Sequence, residues 1–297
     1  MKVLKFGGTS VGSAQRMKDV AKLIVGEKNL IVLSAMSGTT NSLVEISDYL
    51  YKKNPDGANE IINKLSQKYF GHIDELYATE EYKEKARELV TFHFDHIRSF
   101  TKDLFTLFEE KVVLAQGELI STGMMNLYLQ EQGVNSVLLP ALDFMRTDKN
   151  AEPDPVYIKE KLNRLLEENA GADLYITQGY ICRNAYGEID NLQRGGSDYT
   201  ASLIGAAIKA EEIQIWTDID GMHNNDPRFV KGTSPVRHLH FEEAAELAYF
   251  GAKILHPTCI LPAKINNIPV RLLNTMQPDA PGTLISNATE KGKIKAV

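Results

Sequence analysis

Short, largely apolar runs alternate with longer amphipathic segments at the beginning of the chain. Residues 2–6 and 30–33 have the length and composition of buried strands. Between them, residues 13–24 place an apolar side chain at every third or fourth position, which is the spacing of one helix face. Another helix is predicted to start near Asn41. This order of strand, helix, strand and helix is typical of a parallel sheet flanked by helices.

Residues 59–109 interrupt this alternation. They form a long polar and aromatic stretch whose apolar residues keep helical spacing. Pro55-Asp56-Gly57 predicts a turn at the entrance to this stretch. We therefore predict a helical insertion over about residues 42–110 that contributes to a second lobe.

The alternation of strands and helices returns in the rest of the chain. Strands are predicted at residues 134–139, 174–177, 213–217, 270–273 and 283–285. Helices are predicted at residues 116–132, 156–169, 197–210, 241–250 and 258–266. Residues 287–297 are polar and lack periodicity, so a tail or linker is expected there.

Length and composition narrow the class of protein. The chain has 297 residues, a length at which single hydrophobic cores stop growing, so a bilobed molecule is expected. Hydrophobic residues make up 43% and charged residues 24%, which is typical of a soluble globular protein. No apolar run approaches the roughly 18 residues of a membrane span, and the N-terminal apolar stretch is too short for a signal peptide. We expect a cytoplasmic protein that does not contact a membrane.

Charge and cysteine content exclude further classes. Lysine and arginine number 33 against 39 aspartate and glutamate residues, a net charge of −6, and an acidic chain without a basic block is a poor nucleic-acid binder. Cys182 and Cys259 are the two cysteines, so a reducing compartment and buried, unreactive thiols are expected. His238 and His240 would share one strand face, but no partner stands at metal-site spacing, and no protein metal site is predicted.

A glycine loop joins the first predicted strand to the first predicted helix. Gly7 and Gly8 would let backbone N–H groups approach a phosphate, and the start of the following helix favours negative charge. Lys5, in the strand, would point its ammonium group into the same space. A tight turn with a surface lysine is the alternative interpretation of this loop.

Two common nucleotide-binding motifs do not fit this loop. Gly7 and Gly12 have the spacing of a Walker A motif, but Ser13 and Ala14 stand where that motif requires lysine and serine or threonine. No G-x-G-x-x-G sequence follows a predicted strand, so a Rossmann dinucleotide site is unsupported. With both motifs excluded, the loop would belong to a different nucleotide-binding fold.

A second loop places an arginine beside two glycines at the start of a predicted helix. Ser197 and Asp198 could be explained as helix caps. Capping does not explain the arginine at position 194, directly before Gly195-Gly196. A guanidinium group in that position suits bidentate contact with a carboxylate or phosphate.

A third candidate segment follows the strand predicted at residues 213–217. Asp218 stands directly after this strand, at the end where α/β proteins place their ligands. A calcium-binding EF-hand loop is excluded, because Met222 and His223 occupy positions where that loop requires a ligand and a glycine.

Four motifs carry a resemblance to a known family. They are, in chain order, Lys5-Phe6-Gly7-Gly8-Thr9-Ser10-Val11, Arg194-Gly195-Gly196-Ser197-Asp198-Tyr199-Thr200-Ala201, Trp216-Thr217-Asp218 with Asp226-Pro227-Arg228, and Phe250-Gly251-Ala252-Lys253-Ile254-Leu255-His256-Pro257. Each motif alone is weak, but together they have the order and spacing found in aspartate kinases, members of the amino acid kinase family. The chain resembles this family from residue 1 to about residue 286.

The resemblance implies a fold and an activity. The fold would be the three-layer α/β amino acid kinase fold over residues 1–286, with an N-terminal lobe over about 1–175 and a nucleotide-binding C-terminal lobe over about 176–286. The activity would be ATP-dependent phosphorylation of the β-carboxylate of L-aspartate, with Mg²⁺, in the pathway to lysine, threonine and methionine. Aspartate kinases usually carry C-terminal ACT regulatory domains, and this chain stops about where they would begin. The resemblance therefore implies a catalytic region, and a homodimer is expected.

The resemblance also assigns roles to individual residues. Lys5 would contact the transferring phosphoryl group, and Asp198 would orient Lys5. The aspartate pocket would be formed by Ser34, Thr40, Glu118, Arg194 and Ser197, with Glu118 on the substrate ammonium and Arg194 on its α-carboxylate. The nucleotide would be surrounded by Gly7, Gly8, Thr217, Asp218, His223, Arg228 and Lys253.

Two departures from the family pattern and two alternative functions remain. Gln193 stands where the family usually has glycine, and His223 stands where it usually has a tyrosine near the adenine.

The chain could instead be a kinase for glutamate, acetylglutamate, carbamate or a nucleoside monophosphate, which the contexts of Glu118 and Arg194 disfavour. It could also be a non-catalytic ligand-binding module, against which the presence of Lys5, Asp198 and Lys253 argues.

Overall fold

An eight-stranded sheet runs through the molecule. The computed structural model describes residues 1–102, 104–192, 195–226, 229–250 and 255–289. The strand order is β3-β4-β2-β1-β7-β9-β10-β8, and every neighbouring pair is parallel except β9 and β10. The strands of this sheet are β1 (Val3–Phe6), β2 (Leu30–Leu33), β3 (Ser136–Leu138), β4 (Leu174–Gln178), β7 (Ile213–Thr217), β8 (His238–His240), β9 (Val270–Asn274) and β10 (Thr283–Ser286). A separate hairpin pairs β5 (Ile181–Arg183) with β6 (Ile189–Asn191).

Helices cover both faces of the sheet. They are α1 (Ala14–Ile24), α2 (Thr39–Tyr51), α3 (Pro55–Leu76), α4 (Glu80–Ser99), α5 (Leu107–Glu131), α6 (Ala141–Phe144), α7 (Pro155–Glu168), α8 (Gly196–Ile208), α9 (Phe241–Phe250) and α10 (Leu261–Ile265). The long helices α2 to α5 all lie between β2 and β3 in the chain. The prediction of a mostly parallel α/β fold flanked by helices is confirmed.

Two hydrophobic cores lie on opposite faces of the central strands. All residues of β1 and β2 are buried, and successive side chains of a strand point to opposite faces. Val3 and Val32 accordingly belong to one core, whereas Phe6 and Leu33 belong to the other. Because both faces are covered, the strands read as short apolar runs in the sequence.

Helix α5 starts earlier than the sequence pattern predicted. It begins at Leu107 rather than at residue 116, and Thr106 forms a capping box with Glu109 at its start. A threonine followed three residues later by glutamate is the sequence signature of such a start. The polar stretch of residues 59–109 therefore extends into the first turn of α5.

Other differences concern short elements. The hairpin β5–β6 was not predicted, because runs of three residues carry too little periodicity to be recognised. The strand expected at His238 and His240 is present as β8. The helix predicted at residues 258–266 consists of a 3₁₀ turn, Pro257–Ile260, followed by α10. Pro262 lies in the first turn of α10, where its missing N–H group is tolerated.

Four parallel strands end at the same edge of the sheet. Phe6 at the end of β1 lies beside Leu33 of β2 and Trp216 of β7, and Leu33 lies beside Gln178 of β4. The loops that follow these strands are therefore neighbours, although they are far apart in sequence. No helix within the described ranges is long and apolar enough to cross a membrane.

Candidate active site

A buried lysine forms an ion pair at this edge. Lys5 is 8% exposed, and its Nζ atom lies 2.7 Å from Oδ1 of Asp198 in the first turn of α8. The same Nζ atom lies 3.4 Å from the position that a Cβ atom on Gly7 would occupy. The lysine therefore faces the glycine loop rather than bulk solvent, and the alternative of a surface lysine is wrong.

The glycine loop is pressed against the loop that follows β2. The N–H group of Ser37 donates to the carbonyl oxygen of Gly8 at 3.1 Å. A Cβ atom on Gly8 would stand 2.7 Å from the carbonyl oxygen of Ala35, closer than real Cβ contacts come. Glycine is required at position 8 by this close backbone approach.

Two serine hydroxyl groups meet between the loops. Ser34 Oγ donates to Ser197 Oγ at 2.9 Å, and Ser121 Oγ of α5 donates to the carbonyl oxygen of Ser34 at 2.8 Å. Ser197 precedes Asp198, so these contacts join the end of β2 to the Lys5 ion pair. Gly179, after β4, leaves the space for Ser197, because a Cβ atom there would lie 2.3 Å from Ser197 Oγ.

Glu118 brings a carboxylate into the same region from α5. Its side chain accepts the N–H group of Ala35 at 3.2 Å, and the residue is 5% exposed. Burial raises the pKa of Glu118 to about 8, and the backbone N–H contacts offset this only in part. Within the described ranges no cation compensates this carboxylate. A ligand with a positive charge would supply that compensation.

The structure distinguishes two neighbouring threonines in α2. Thr40, assigned to the pocket by resemblance, is exposed near the start of the helix. Thr39 is buried, and its Oγ1 atom lies 2.8 Å from the hydroxyl oxygen of Tyr69. Thr40 is therefore free to contact a ligand, whereas Thr39 is held by the protein.

Some of the residues assigned to the nucleotide lie at the end of β7 or after it. Gly7 N–H donates to the carbonyl oxygen of Trp216 at 3.3 Å, which places Thr217 next to the glycine loop. Thr217 Oγ1 accepts the N–H group of Ile219 at 3.0 Å, and Asp218 is exposed. His223 lies farther along the chain, where its Nδ1 atom is 2.9 Å from Thr233 Oγ1.

Several predicted site residues lie outside the described residues. They are Arg194, Arg228 and Lys253, together with Gln193. Their roles remain predictions from the sequence.

Tyr180 is a candidate site residue that sequence reasoning missed. It has a left-handed backbone with φ of 68°, its N–H group donates to Thr200 Oγ1 at 2.9 Å, and its carbonyl oxygen accepts the N–H group of Leu192 at 2.8 Å. A bulky residue in this conformation is strained and persists where its surroundings hold it, often at functional sites. The preceding Gly179, directly after a strand, was the available sequence signal.

Cys259 packs against the start of α8. Gly195, the residue before that helix, has φ of +68°, and a Cβ atom on it would stand 1.6 Å from Cys259 Sγ. Cys182 and Cys259 are both free and buried, as predicted, and burial raises the pKa of Cys259 to about 12. The thiol of Cys259 therefore serves as a packing group behind the loop.

Replacement of Gly195 by alanine is expected to lower the free energy of unfolding by about 2–4 kcal/mol, since both the left-handed backbone and the overlap with Cys259 Sγ cost energy. Gly187→Ala is the matched control, because Gly187 has φ of +86° but no atom within 4 Å of its Cβ position. The control should cost only about 1–2 kcal/mol. Adding Cys259→Ala to Gly195→Ala should recover part of the loss. Urea unfolding measures all three variants, and equal losses for both glycine positions would contradict this packing argument.

The convergent groups have complementary chemistry. Lys5 and the glycine loop offer positive charge and backbone donors to an anion. Glu118 is a buried acceptor suited to an ammonium group. The Ser34–Ser197 contact joins the loop that Glu118 binds to the helix start that carries Asp198. The site can therefore hold a small molecule that carries both charges next to a phosphate group.

Comparison with known proteins agrees with this chemistry. A sequence model described as "Amino acid kinase family" matches residues 1–274. The chain belongs to the amino acid kinase family. This amino acid kinase is similar to the chloroplastic aspartokinase 3 of Arabidopsis thaliana, with 36% identity over 98% of this chain and 54% of the relative. It is also similar to the lysine-sensitive aspartokinase 3 of Escherichia coli (strain K12), with 35% identity over 97% of this chain and 64% of that relative.

A solved structure matches nearly the whole length of this amino acid kinase. It is aspartokinase III of E. coli in complex with aspartate and ADP, with a TM-score of 0.88 and 34% identity, covering 98% of this chain and 65% of that one. The chain spans about half the length of the Arabidopsis relatives it matches. The family and fold expected from the four motifs are confirmed.

Proposed function

We propose that this amino acid kinase transfers the γ-phosphoryl group of ATP to the β-carboxylate of L-aspartate, forming 4-phospho-L-aspartate and ADP. The observation that carries the proposal is the shielded Lys5–Asp198 ion pair at the sheet edge, where buried Glu118 also binds the loop after β2 through the N–H group of Ala35. The similar E. coli enzyme binds aspartate and ADP, which supports aspartate as the acceptor and an adenine nucleotide as the second ligand.

The proposed reaction needs little from the protein beyond positioning and charge. A β-carboxylate oxygen attacks the γ-phosphorus, the bond from phosphorus to the bridging oxygen breaks, and ADP leaves with the electron pair. The carboxylate is already ionised at neutral pH, so no general base is required. Lys5 would stabilise the negative charge on the phosphoryl oxygens, and Asp198 would hold its ammonium group in place.

Two opposite charges would orient the amino acid. Glu118 would bind the α-ammonium group, and Arg194 would bind the α-carboxylate as a bidentate partner. Ser34, Thr40 and Ser197 would contribute hydroxyl groups along the same pocket. An amino acid held at both ends presents its side-chain carboxylate to the phosphoryl group. This positioning of the reacting groups accounts for much of the rate enhancement in such transfers.

The nucleotide would lie over the glycine loop. Gly8 fits this role because its lack of a Cβ atom keeps the backbone close to the neighbouring loop, where N–H groups can meet phosphate oxygens. The further nucleotide contacts that we propose are Gly7, Thr217, Asp218, His223, Arg228 and Lys253. Across the described ranges no group of three or more metal-binding side chains occurs, so Mg²⁺ would be held largely by phosphate oxygens. When bound with ATP, Mg²⁺ neutralises charge on the phosphates.

We also propose a cytoplasmic location, a place in lysine biosynthesis and a homodimer. Buried free thiols fit a reducing compartment, although three of the similar plant aspartokinases are chloroplastic. The division into lobes near residue 175 stays a prediction. Light scattering of the purified protein tests the homodimer.

A coupled assay of ADP release with a panel of amino acids tests the proposed reaction. We expect turnover with L-aspartate and little with glutamate, acetylglutamate, carbamate or a nucleoside monophosphate. Hydroxylamine trapping of the acyl phosphate identifies the product. Preference for another acceptor would replace aspartate in the proposal, and ATP binding without turnover of any acceptor would favour the non-catalytic module.

A further inference from the structure

We propose that Lys111 and Asp190 are positioning residues that set the distance between the two sides of the amino-acid pocket. The inference rests on the proposed function, because it concerns how the pocket for aspartate is held. Neither residue belongs to the motifs that carry the family resemblance.

The two side chains form a shielded ion pair between α5 and the hairpin β5–β6. Lys111 Nζ lies 2.5 Å from Asp190 Oδ1, and the side chains are 20% and 12% exposed. The same Asp190 oxygen accepts the N–H group of Asn191 at 2.7 Å. A pair this well shielded from water is screened far less than a surface pair, and loss of one partner leaves the other charge uncompensated.

On one side, the ion pair acts on the helix that carries Glu118. Lys111 precedes Glu118 by two helical turns, so both side chains leave the same face of α5. Because α5 is one continuous helix, its position at Lys111 determines where Glu118 stands. The contact of Glu118 with Ala35 is then made at the far end of this anchored segment.

On the other side, the ion pair acts on the start of α8. Asp190 lies opposite Cys182 in the hairpin. At the open end of the hairpin, Leu192 N–H donates to the carbonyl oxygen of Tyr180. Tyr180 N–H in turn donates to Thr200 Oγ1 of α8, the helix that carries Ser197. The left-handed backbone of Tyr180 therefore has both its N–H group and its carbonyl oxygen bonded at this junction.

The consequence is a connection between the two binding ends of the amino acid. Glu118 is proposed to hold the ammonium group. Helix α8, reached through Tyr180, carries Ser197 and follows in sequence Arg194, the residue proposed for the α-carboxylate. Without the ion pair the hairpin and α5 can shift apart, and a displacement of about 1 Å at such a site can cost up to roughly 10²-fold. The nucleotide contacts after β7 do not lie on this path.

The test compares Lys111→Met, Asp190→Asn and the double variant in the full chain. We expect each single variant to raise the KM for aspartate about tenfold and to leave the KM for ATP within about twofold. The KM for aspartate of the double variant should be about that of the single variants, because each substitution removes the same interaction. Glu188→Gln is the matched control, since Glu188 accepts from Asn184 at the exposed tip of the same hairpin and should leave both KM values unchanged.

Aspartate binding by calorimetry and thermal unfolding complete the experiment. A lowered melting temperature with an unchanged KM for aspartate would reduce the pair to a purely structural role and overturn the proposal. Equal increases in both KM values, or additive effects in the double variant, would also overturn it. If Lys111→Met does not fold, Asp190→Asn decides, since the amide keeps the shape and the acceptor for Asn191. Failure of the proposed function is recognised separately, because the wild-type protein would then not bind or phosphorylate aspartate.

Discussion

Replacement of Lys5 by alanine is expected to lower kcat about 10²–10³-fold while changing the KM for aspartate far less. The ammonium group of Lys5 is buried at the glycine loop, where the charge on the transferring phosphoryl group would develop. An interaction that strengthens in the transition state affects kcat, whereas one made equally in both states affects KM. Steady-state kinetics with both substrates measure the effect.

A lysine of α3 that contacts the loop after β2 provides the control for Lys5. Lys68 Nζ donates to the carbonyl oxygen of Ser37 at 3.0 Å, but Lys68 is exposed. Lys68→Ala should retain kcat within about twofold, since an exposed contact contributes little. Circular dichroism shows whether Lys5→Ala remains folded after Asp198 loses its partner. A folded Lys5→Ala variant with more than half of the wild-type kcat would remove Lys5 from the catalytic role.

Replacement of Glu118 by glutamine is expected to raise the KM for aspartate about 10- to 150-fold. The estimate corresponds to a charge-assisted hydrogen bond of about 1.5–3 kcal/mol, at tenfold for every 1.4 kcal/mol. The effect should be specific to substrates with an ammonium group, so the preference for aspartate over succinate should shrink. Glu110→Gln, in the first turn of the same helix and bonded to Tyr51, is the control and should leave this preference intact.

The pH dependence of aspartate binding tests the same contact. Burial raises the pKa of Glu118 to about 8, so the unliganded protein holds this carboxyl group protonated at neutral pH. An ammonium ligand binds the ionised form, and binding must therefore release a proton below about pH 8. The KM for aspartate should fall by up to about tenfold per unit as the pH rises from about 6 to 8, and Glu118→Gln should abolish this slope. A wild-type KM that is flat over this range would contradict the ammonium contact.

Much of the fold could be predicted from local patterns. The strands β1, β2 and β7 are short and mostly apolar, because both faces of this sheet are covered. Helix α9 was predicted with its observed bounds, since its apolar residues recur at regular helical spacing. The hairpin β5–β6 could not be predicted, because its strands are too short to show a period and depend on their partners.

By itself, the sequence determined the order of the elements, the glycine loops and the identity of the charged groups in the motifs. These are local properties, set by backbone preferences and by residues close together in the chain. The tertiary structure alone decided that Ser34 meets Ser197, because parallel strands from distant parts of the chain end at one edge. It also brings Asp198 to Lys5, a contact that the family resemblance implied but no local pattern could show. It also decided the high pKa of Glu118, because desolvation depends on everything packed around a carboxylate and not on its neighbours in sequence.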